Sequence, residues 1–397
     1  MKKIITGDQL TVLATVAMAI LAMNALQPVL PLYLSSIGVT PATIGFMFSV
    51  SMIGMVIGES AGGWLADRLG LKIPLMIGTI ICAPAIFCFV FTKNIPAIFL
   101  IFLFWGITRS TIFGPSRGFM GNTAPPMQKA TFMGIYATTM AASRSVGTLI
   151  SGFIADTRGY DWNFFIASGI SLIGGAILLT GLAKTPFFKP KPASISIMRM
   201  SEFSLHPKNF NSKQFIFQCI AAGLNFLGVG VMSFLPLLAT EVVGVRATDT
   251  GLVLTIGGLV NTASLILMGR LADRKGKRTL MILGFLVSAC GLTGIAFAQT
   301  FPWLIIFVVI NSLGGALFGP AAVALLSDSV PRHKQGTAMG IYGACEDIGN
   351  VIGSALAGVV WTSLGPPSTF LLGTLAAFLG AVVCLGLLKG KVPANVT

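Results

Sequence analysis

Charge is what this chain has least of. Asp, Glu, Lys and Arg together make up 10% of its 397 residues, with 12 acidic residues and two histidines in all, against about 25% charged residues in a soluble globular domain. So few charges cannot dress a water-facing surface, which excludes a soluble globular fold. The two histidines, His206 and His333, have no cysteine pair or acidic cluster beside them, so no His-based metal centre is expected. The six cysteines, Cys82, Cys88, Cys219, Cys290, Cys345 and Cys384, all lie in apolar runs with no CxxC pair and read as packing residues. A phosphate loop of the GxxxxGK[ST] type is missing, which leaves ATP-driven pumping unsupported. Gly58-Glu59-Ser60-Ala61-Gly62 has the letters of a serine-hydrolase elbow, but that motif needs a strand-to-helix turn and a histidine base. Here it sits in a continuous apolar segment. No enzyme activity and no cofactor are expected.

What the chain has is apolar length. Hydrophobic residues form 54% of it and the mean hydropathy is +0.88. About 20 helical residues cross a bilayer core, so 397 residues leave room for about twelve spans with short connections. Leu10 to Leu34 and Phe99 to Phe113 are apolar on every face, without the period-two alternation of a membrane barrel. The reading is an all-α membrane protein with spans near 9–34, 42–66, 73–92, 96–118, 130–156, 161–183, 214–240, 247–269, 278–298, 302–327, 336–361 and 367–388. Met1-Lys2-Lys3 precedes an apolar run too long for a signal peptide, without a small-residue cleavage site, so the N-terminus is expected to be retained.

The net charge of +14 is a topology signal. With a cytoplasmic N-terminus, 21 of the 26 basic residues fall on inner segments; Lys93, Arg158 and Arg246 fall outside, and Arg109 and Arg144 lie within spans. By the positive-inside rule both termini are cytoplasmic. Short loops suit a bacterial inner membrane. The basic residues are scattered over membrane ends with no aromatic platform between them, which argues against nucleic acid as a partner. The expected partners are the bilayer and a small-molecule or lipid-like substrate, with the chain working as a monomer. Asn395-Val396-Thr397 fits a glycosylation sequon but falls on the cytoplasmic tail and is discounted.

The longest polar stretch, 185–213, carries four prolines and five basic residues. It separates an N-terminal six-helix bundle, 1–184, from a C-terminal one, 214–397, and Met198 to Leu205 is suited to lie on the leaflet surface. The halves are duplicates. Gly63-Trp64-Leu65-Ala66-Asp67-Arg68-Leu69-Gly70 aligns with Gly269-Arg270-Leu271-Ala272-Asp273-Arg274-Lys275-Gly276 at an offset of 206, and Met133-Gly134-Ile135-Tyr136 with Met339-Gly340-Ile341-Tyr342. Gly38, Gly159 and Phe164 pair with Gly244, Gly365 and Phe370 at the same offset. Parallel six-helix repeats are a transporter architecture.

Gly63 to Leu75 and Gly269 to Met281 resemble the loop signature G-x-L-A-D-R-x-G-R-K of the major facilitator superfamily. The resemblance covers essentially the whole chain and implies twelve transmembrane helices in two pseudo-symmetric bundles. It also implies a conformational latch of Gly63, Asp67, Arg68, Gly269, Asp273 and Arg274, in which each aspartate meets the positive end of a helix from the other half. Asp328 resembles the further acidic partner of Arg274. The first half departs from this pattern, with Leu71 where a basic residue is usual and Asn122 at the position of Asp328. Gly147-Thr148-Leu149-Ile150-Ser151-Gly152 is similar to the antiporter segment G-P-x-x-G-G without its proline, and Gly353 to Gly358 keeps small residues at the equivalent place.

Ionisable groups inside a bilayer are functional candidates because their burial is expensive. Glu59, Arg144, Glu346 and Asp347 are the proton-coupling candidates, with Arg144 expected to pair with Asp347, Glu346 or Glu59. Glu59 lies beside the close-packing spacing Gly54, Gly58, Gly62 and is either a proton carrier or a structural hydrogen-bonding group. The family's cavity helices offer Asn24, Gln27, Trp105, Arg109, Phe113, Gln218, Asn225, Phe226 and Asn311. Arg109 would meet an anionic or zwitterionic ligand or pair with a carboxylate. A mostly apolar cavity with a few amides suits an amphipathic organic molecule better than a sugar. The function expected is secondary active transport by alternating access: proton-coupled efflux of small hydrophobic or amphipathic compounds, driven by the proton gradient. The alternatives are a lipid, lysophospholipid or organic-anion carrier, and, in another class, a non-transporting receptor or scaffold.

Overall fold

The computed structural model describes residues 6–125, 128–182, 212–330 and 335–388. The linker expected at 185–213 lies outside them apart from Ser212 and Lys213, which open a helix, and so do the surface segment 198–205, both histidines and the tail sequon. All regular structure among the described residues is helical. In chain order it forms α1 (Gly7–Asn24, resumed after a break by Leu30–Ser36), α2 (Pro41–Leu69), α3 (Lys72–Phe91), α4 (Ile95–Thr123), α5 (Lys129–Arg158) and α6 (Tyr160–Gly181). Then come α7 (Ser212–Met232, running on to Val242), α8 (Ala247–Lys275), α9 (Lys277–Ala296), α10 (Phe301–Ser329), α11 (Gln335–Leu364) and α12 (Pro366–Leu388).

Counted over the described residues alone, nine of these segments are long and apolar enough to cross a membrane. The other three are α5, α8 and α11, which are 30, 29 and 30 residues long. Their length is ample; Arg144 interrupts α5 and Glu346-Asp347 interrupts α11, whereas 251–268 of α8 is as apolar as the other spans.

The ends of the helices follow from local chemistry. Thr6 and Gln9 close a capping box at the start of α1; Thr40 accepts the Thr43 N–H ahead of Pro41, and Asn94 that of Ala97 ahead of Pro96. Every described residue with positive φ is a glycine, and the six form three pairs 206 residues apart: Gly38 and Gly244, Gly70 and Gly276, Gly159 and Gly365. Only glycine takes φ near +85° without a steric penalty, so each reverses the chain where one helix ends and the next begins. The duplication is therefore present in the backbone as well as in the letters.

By its contacts the chain divides into two compact units, Met1–Ser196 with Gly244–Thr255, and Ile197–Val243 with Ile256–Thr397. In the first, α2 packs on α4 through Gly54, Gly58, Gly62 and Gly106, where an added Cβ would collide with the facing backbone. In the second, α9 packs on α10 and α12, and α7 on α11. One crossing occurs in both. Gly147 of α5 lies against the Leu21 carbonyl of α1, and Gly353 of α11 against the Leu227 carbonyl of α7, the same contact displaced by 206. Small residues permit such backbone approach, which is the main source of helix association where water supplies no hydrophobic drive.

At Gly147 a Cβ would stand 2.7 Å from the Leu21 oxygen. Gly147→Val and Gly353→Val are each expected to destabilise the folded protein by about 1–3 kcal/mol. Gly169→Ala, where the added carbon meets nothing within 4 Å, is expected to leave it unchanged. Thermal denaturation in detergent, read by intrinsic fluorescence, checks all three.

Candidate functional site

Arg109 lies inside the first unit and is 5% exposed. Its Nη2 donates to Ser51 Oγ at 3.1 Å and contacts the Met55 sulfur at 2.8 Å, and the guanidinium stacks over the Trp105 ring at 4.1 Å. Neither its Nε nor the Trp105 Nε1 has a hydrogen-bond partner among the described residues. Cation–π stacking and a hydroxyl acceptor stabilise the charge in place of a carboxylate. Arg109 and Trp105, expected on an open cavity, are packing residues between α2 and α4 in this structure. Sequence alone does not distinguish these cases, because both faces of α4 are apolar.

Glu59 is exposed on α2, beside the stripe of Gly58 and Gly62, within electrostatic reach of the buried Tyr136 hydroxyl, which itself meets Ser116 Oγ at 2.9 Å. Arg144 is on α5 and makes no ion pair with a described residue of its own unit. The expected Arg144–Glu59 pair is therefore not formed. Glu346 is half-buried and Asp347 exposed on α11, with the buried Tyr342 one turn before them in electrostatic reach of Glu346.

The cavity candidates separate. Asn24 is buried and satisfied by the Ile20 carbonyl of its own helix at 2.8 Å. Gln27 is exposed in the break of α1, and Phe113 packs at the α4 end of the first unit's core. Gln218 is fully buried and donates, like Gln214, to Ser329 Oγ at the end of α10. That places it apart from Asn225 of α7 and Asn311 of α10, a correction to its expected place in one cavity with them. Asn225 and Asn311 do come together, lining a cavity of about 70 Å³ within the second unit. Phe226, half-buried, is their neighbour on α7.

The loop signatures differ between the units. In the second, the Lys277 ammonium is paired with the Asp328 carboxylate and also reaches the Ala324 carbonyl, so the partner of Asp328 is Lys277 and not Arg274. Subtracting 206 from these positions gives Leu71 and Asn122. The two departures seen in the first copy are thus one lost ion pair. In its place the first unit has a groove of about 280 Å³ lined by Gly63, Asp67, Leu71, Phe119 and Asn122. Arg68 stacks over Trp64 at 4.7 Å. A Cβ added at Gly269 would stand 4.0 Å from Pro320 Cβ, Arg274 is exposed, and the Asp273 side chain is outside the described residues. Installing Leu71→Lys and Asn122→Asp together is expected to recreate the pair. Asp328 is 62% exposed on its side chain, so the coupling should be about 0.2–1 kcal/mol, read as non-additivity in a double-mutant cycle of thermal stability.

One residue escaped the sequence reading. Asp156, at the far end of α5, accepts the Ala247 N–H at 3.2 Å and the Thr248 N–H at 2.8 Å, together with the Thr248 hydroxyl. These are the first free donors of α8, where an anion is stabilised by unpaired N–H groups and the helix dipole. Gly152 lies against the Ala247 and Thr248 backbone, and Thr148 Oγ meets Thr255 Oγ at 2.8 Å. The small residues of 147–152 thus bring α5 against the first turns of α8. An acid at a helix end was visible in sequence; which helix begins opposite it was not. Asp156→Ala is expected to cost about 1 kcal/mol, the usual value of an N-terminal cap, while Asp156→Asn keeps part of it; thermal denaturation of the two variants side by side checks this.

Bundled apolar helices, glycine-mediated crossings and a few buried polar groups define a helical integral membrane protein. The sequence matches the Major Facilitator Superfamily over residues 12–241 and 218–397, and the chain belongs to that family. It is 26% identical to the multidrug resistance protein MdtG of Enterobacter lignolyticus, over 91% of this chain and 87% of that one. It is 24% identical to the quinolone resistance protein NorA of Staphylococcus aureus, over 86% of both. The fold is similar to the crystal structure of a point mutant of the nucleoside transporter NupG, with a TM-score of 0.78, 17% identity, and 96% of this chain and 100% of that chain covered.

Proposed function

We propose that this secondary transporter exports small hydrophobic or amphipathic compounds in exchange for protons, by alternating access, from a cell inner membrane with both termini cytoplasmic. The placement of Arg109 carries the choice of substrate class. An organic-anion carrier needs a cation presented to its ligand, whereas Arg109 is stacked on Trp105 and bound to Ser51. The amides facing the second unit's cavity are neutral and their surroundings apolar, which suits an uncharged or amphipathic molecule. The drug-resistance proteins MdtG and NorA, alike over most of their length, support the same reading.

Glu59, Glu346 and Asp347 are the proposed proton carriers. Each interrupts an apolar helix of membrane length, where an ionisable group is costly and a scaffold has no reason to retain it. Proton binding changes the charge of the site, and a differential affinity of two conformations for that proton couples it to transport. Arg144 is the proposed cation they act against. The loop aspartates Asp67 and Asp273 are the proposed latch, broken once per cycle.

Proteoliposomes holding the full chain, with an imposed pH gradient, test this against lipophilic cations, neutral drugs, organic anions and labelled lysolipids. Uphill movement of a cation or neutral drug with opposite proton flow is expected. Asp347→Asn and Glu59→Gln should abolish gradient-driven transport while the protein stays folded, and full activity in both would remove these carboxylates from the mechanism. Movement of organic anions or lysolipids alone would overturn the substrate class.

A further inference from the structure

Three polar side chains of the second unit, Asn225 of α7, Ser288 of α9 and Asn311 of α10, line one cavity of about 70 Å³. None of the three hydrogen-bonds to another described residue, although Ser288 is only 8% exposed. Polar groups in an apolar interior normally find partners, and inside a bilayer no bulk water is at hand to supply them. The remaining walls are apolar, including Leu224, Met232, Phe285 and Leu292, and no ionisable residue lines the cavity. Its frame is stiff. Gly284, Gly291 and Gly314 bring the α9 and α10 backbones into contact around Ser288 and Asn311.

The duplication shows that this space is particular to the second unit. Positions 206 residues before Ser288, Asn311 and Gly315 are Cys82, Trp105 and Arg109. In the first unit Trp105 and the Arg109 guanidinium are stacked and buried there, with Cys82 in electrostatic reach. One copy of the fold fills the place with its bulkiest side chains, and the other has two small residues and two amides around an opening.

We propose that this cavity is a subsite for a neutral hydrogen-bonding group of the transported molecule, a primary carboxamide or a hydroxyl, whose apolar body remains outside. The inference rests on the proposed export of amphipathic compounds. Two amides and a hydroxyl offer both donors and acceptors, matching a group that does both. A volume of 70 Å³ takes about two waters, hence a group of two or three heavy atoms. With no counter-charge in the walls, an ammonium or carboxylate would be desolvated without compensation.

The test compares (3-carbamoylpropyl)triphenylphosphonium with butyltriphenylphosphonium, the same cation without the carboxamide, in equilibrium binding to the purified full chain and in proteoliposome efflux. Wild type should bind the carboxamide about 10-fold tighter or more, as expected where a site's polar groups are otherwise unpaired. Asn225→Leu and Asn311→Leu should each erase the preference by weakening binding of the carboxamide compound, with the helical circular dichroism and monodisperse elution of the wild type showing that they fold. Should both variants misfold, Ser288→Ala, the smallest change, must still reduce the preference. Equal binding of both compounds by wild type, or an unchanged preference in the variants, would overturn the subsite. Asn-dependent binding without efflux of either compound would instead sink the export reading and leave the subsite standing.

Discussion

In hydrocarbon nothing competes for a backbone N–H or C=O, so each must be satisfied within its own segment, and helices must find attraction without expelling water. That constraint accounts for the all-helical structure and for the weight carried by glycine. Where Gly54, Gly58 and Gly62 meet α4, or Gly353 meets the Leu227 carbonyl, the contact is between backbones. A side chain there would separate the helices and forfeit the dispersion that holds them. The apolar residues on the outer faces of each unit, such as Leu100, Phe153, Leu267 and Val382, have no part in this. They face the surroundings that the composition anticipated.

Against this common frame the two units have diverged in their polar groups. The second unit keeps an ion pair, Lys277 with Asp328, where the first has Leu71, Asn122 and a groove. In the bundle interior the order reverses. There the first unit holds a buried cation on an indole, and the second has a small cavity with unpaired amides. Duplicated scaffolds with unequal polar content suit a machine whose halves have different tasks, since function resides in the site and not in the fold.

The fold was legible because its signals are local. Apolar runs of membrane length, prolines and capping residues at their starts, and glycines at their ends locate the helices, and the offset of 206 locates the repeat. The close approach at Gly54, Gly58 and Gly62 could be read from spacing alone. The candidate site was less legible. Asn225 and Asn311 were identified by helix and type, and the structure adds that they share a cavity with Ser288. Gln218, equally polar and on the same helix as Asn225, is instead tied to Ser329.

The sequence by itself determined the class of the molecule: a duplicated, all-helical membrane protein with its turns at paired glycines, because hydropathy, capping and positive φ are properties of a residue and its near neighbours. Tertiary structure alone decided which polar groups are spent on packing and which are left open. Arg109 could have faced a ligand until Ser51, Met55 and Trp105 were found around it, and Asp156 was an ordinary helix-end acid until the N–H groups of Ala247 and Thr248 were found before it. Electrostatic and hydrogen-bonding roles depend on what lies within about 3 Å in space, and for these residues the partners are 54, 58 and 91 positions away in the chain.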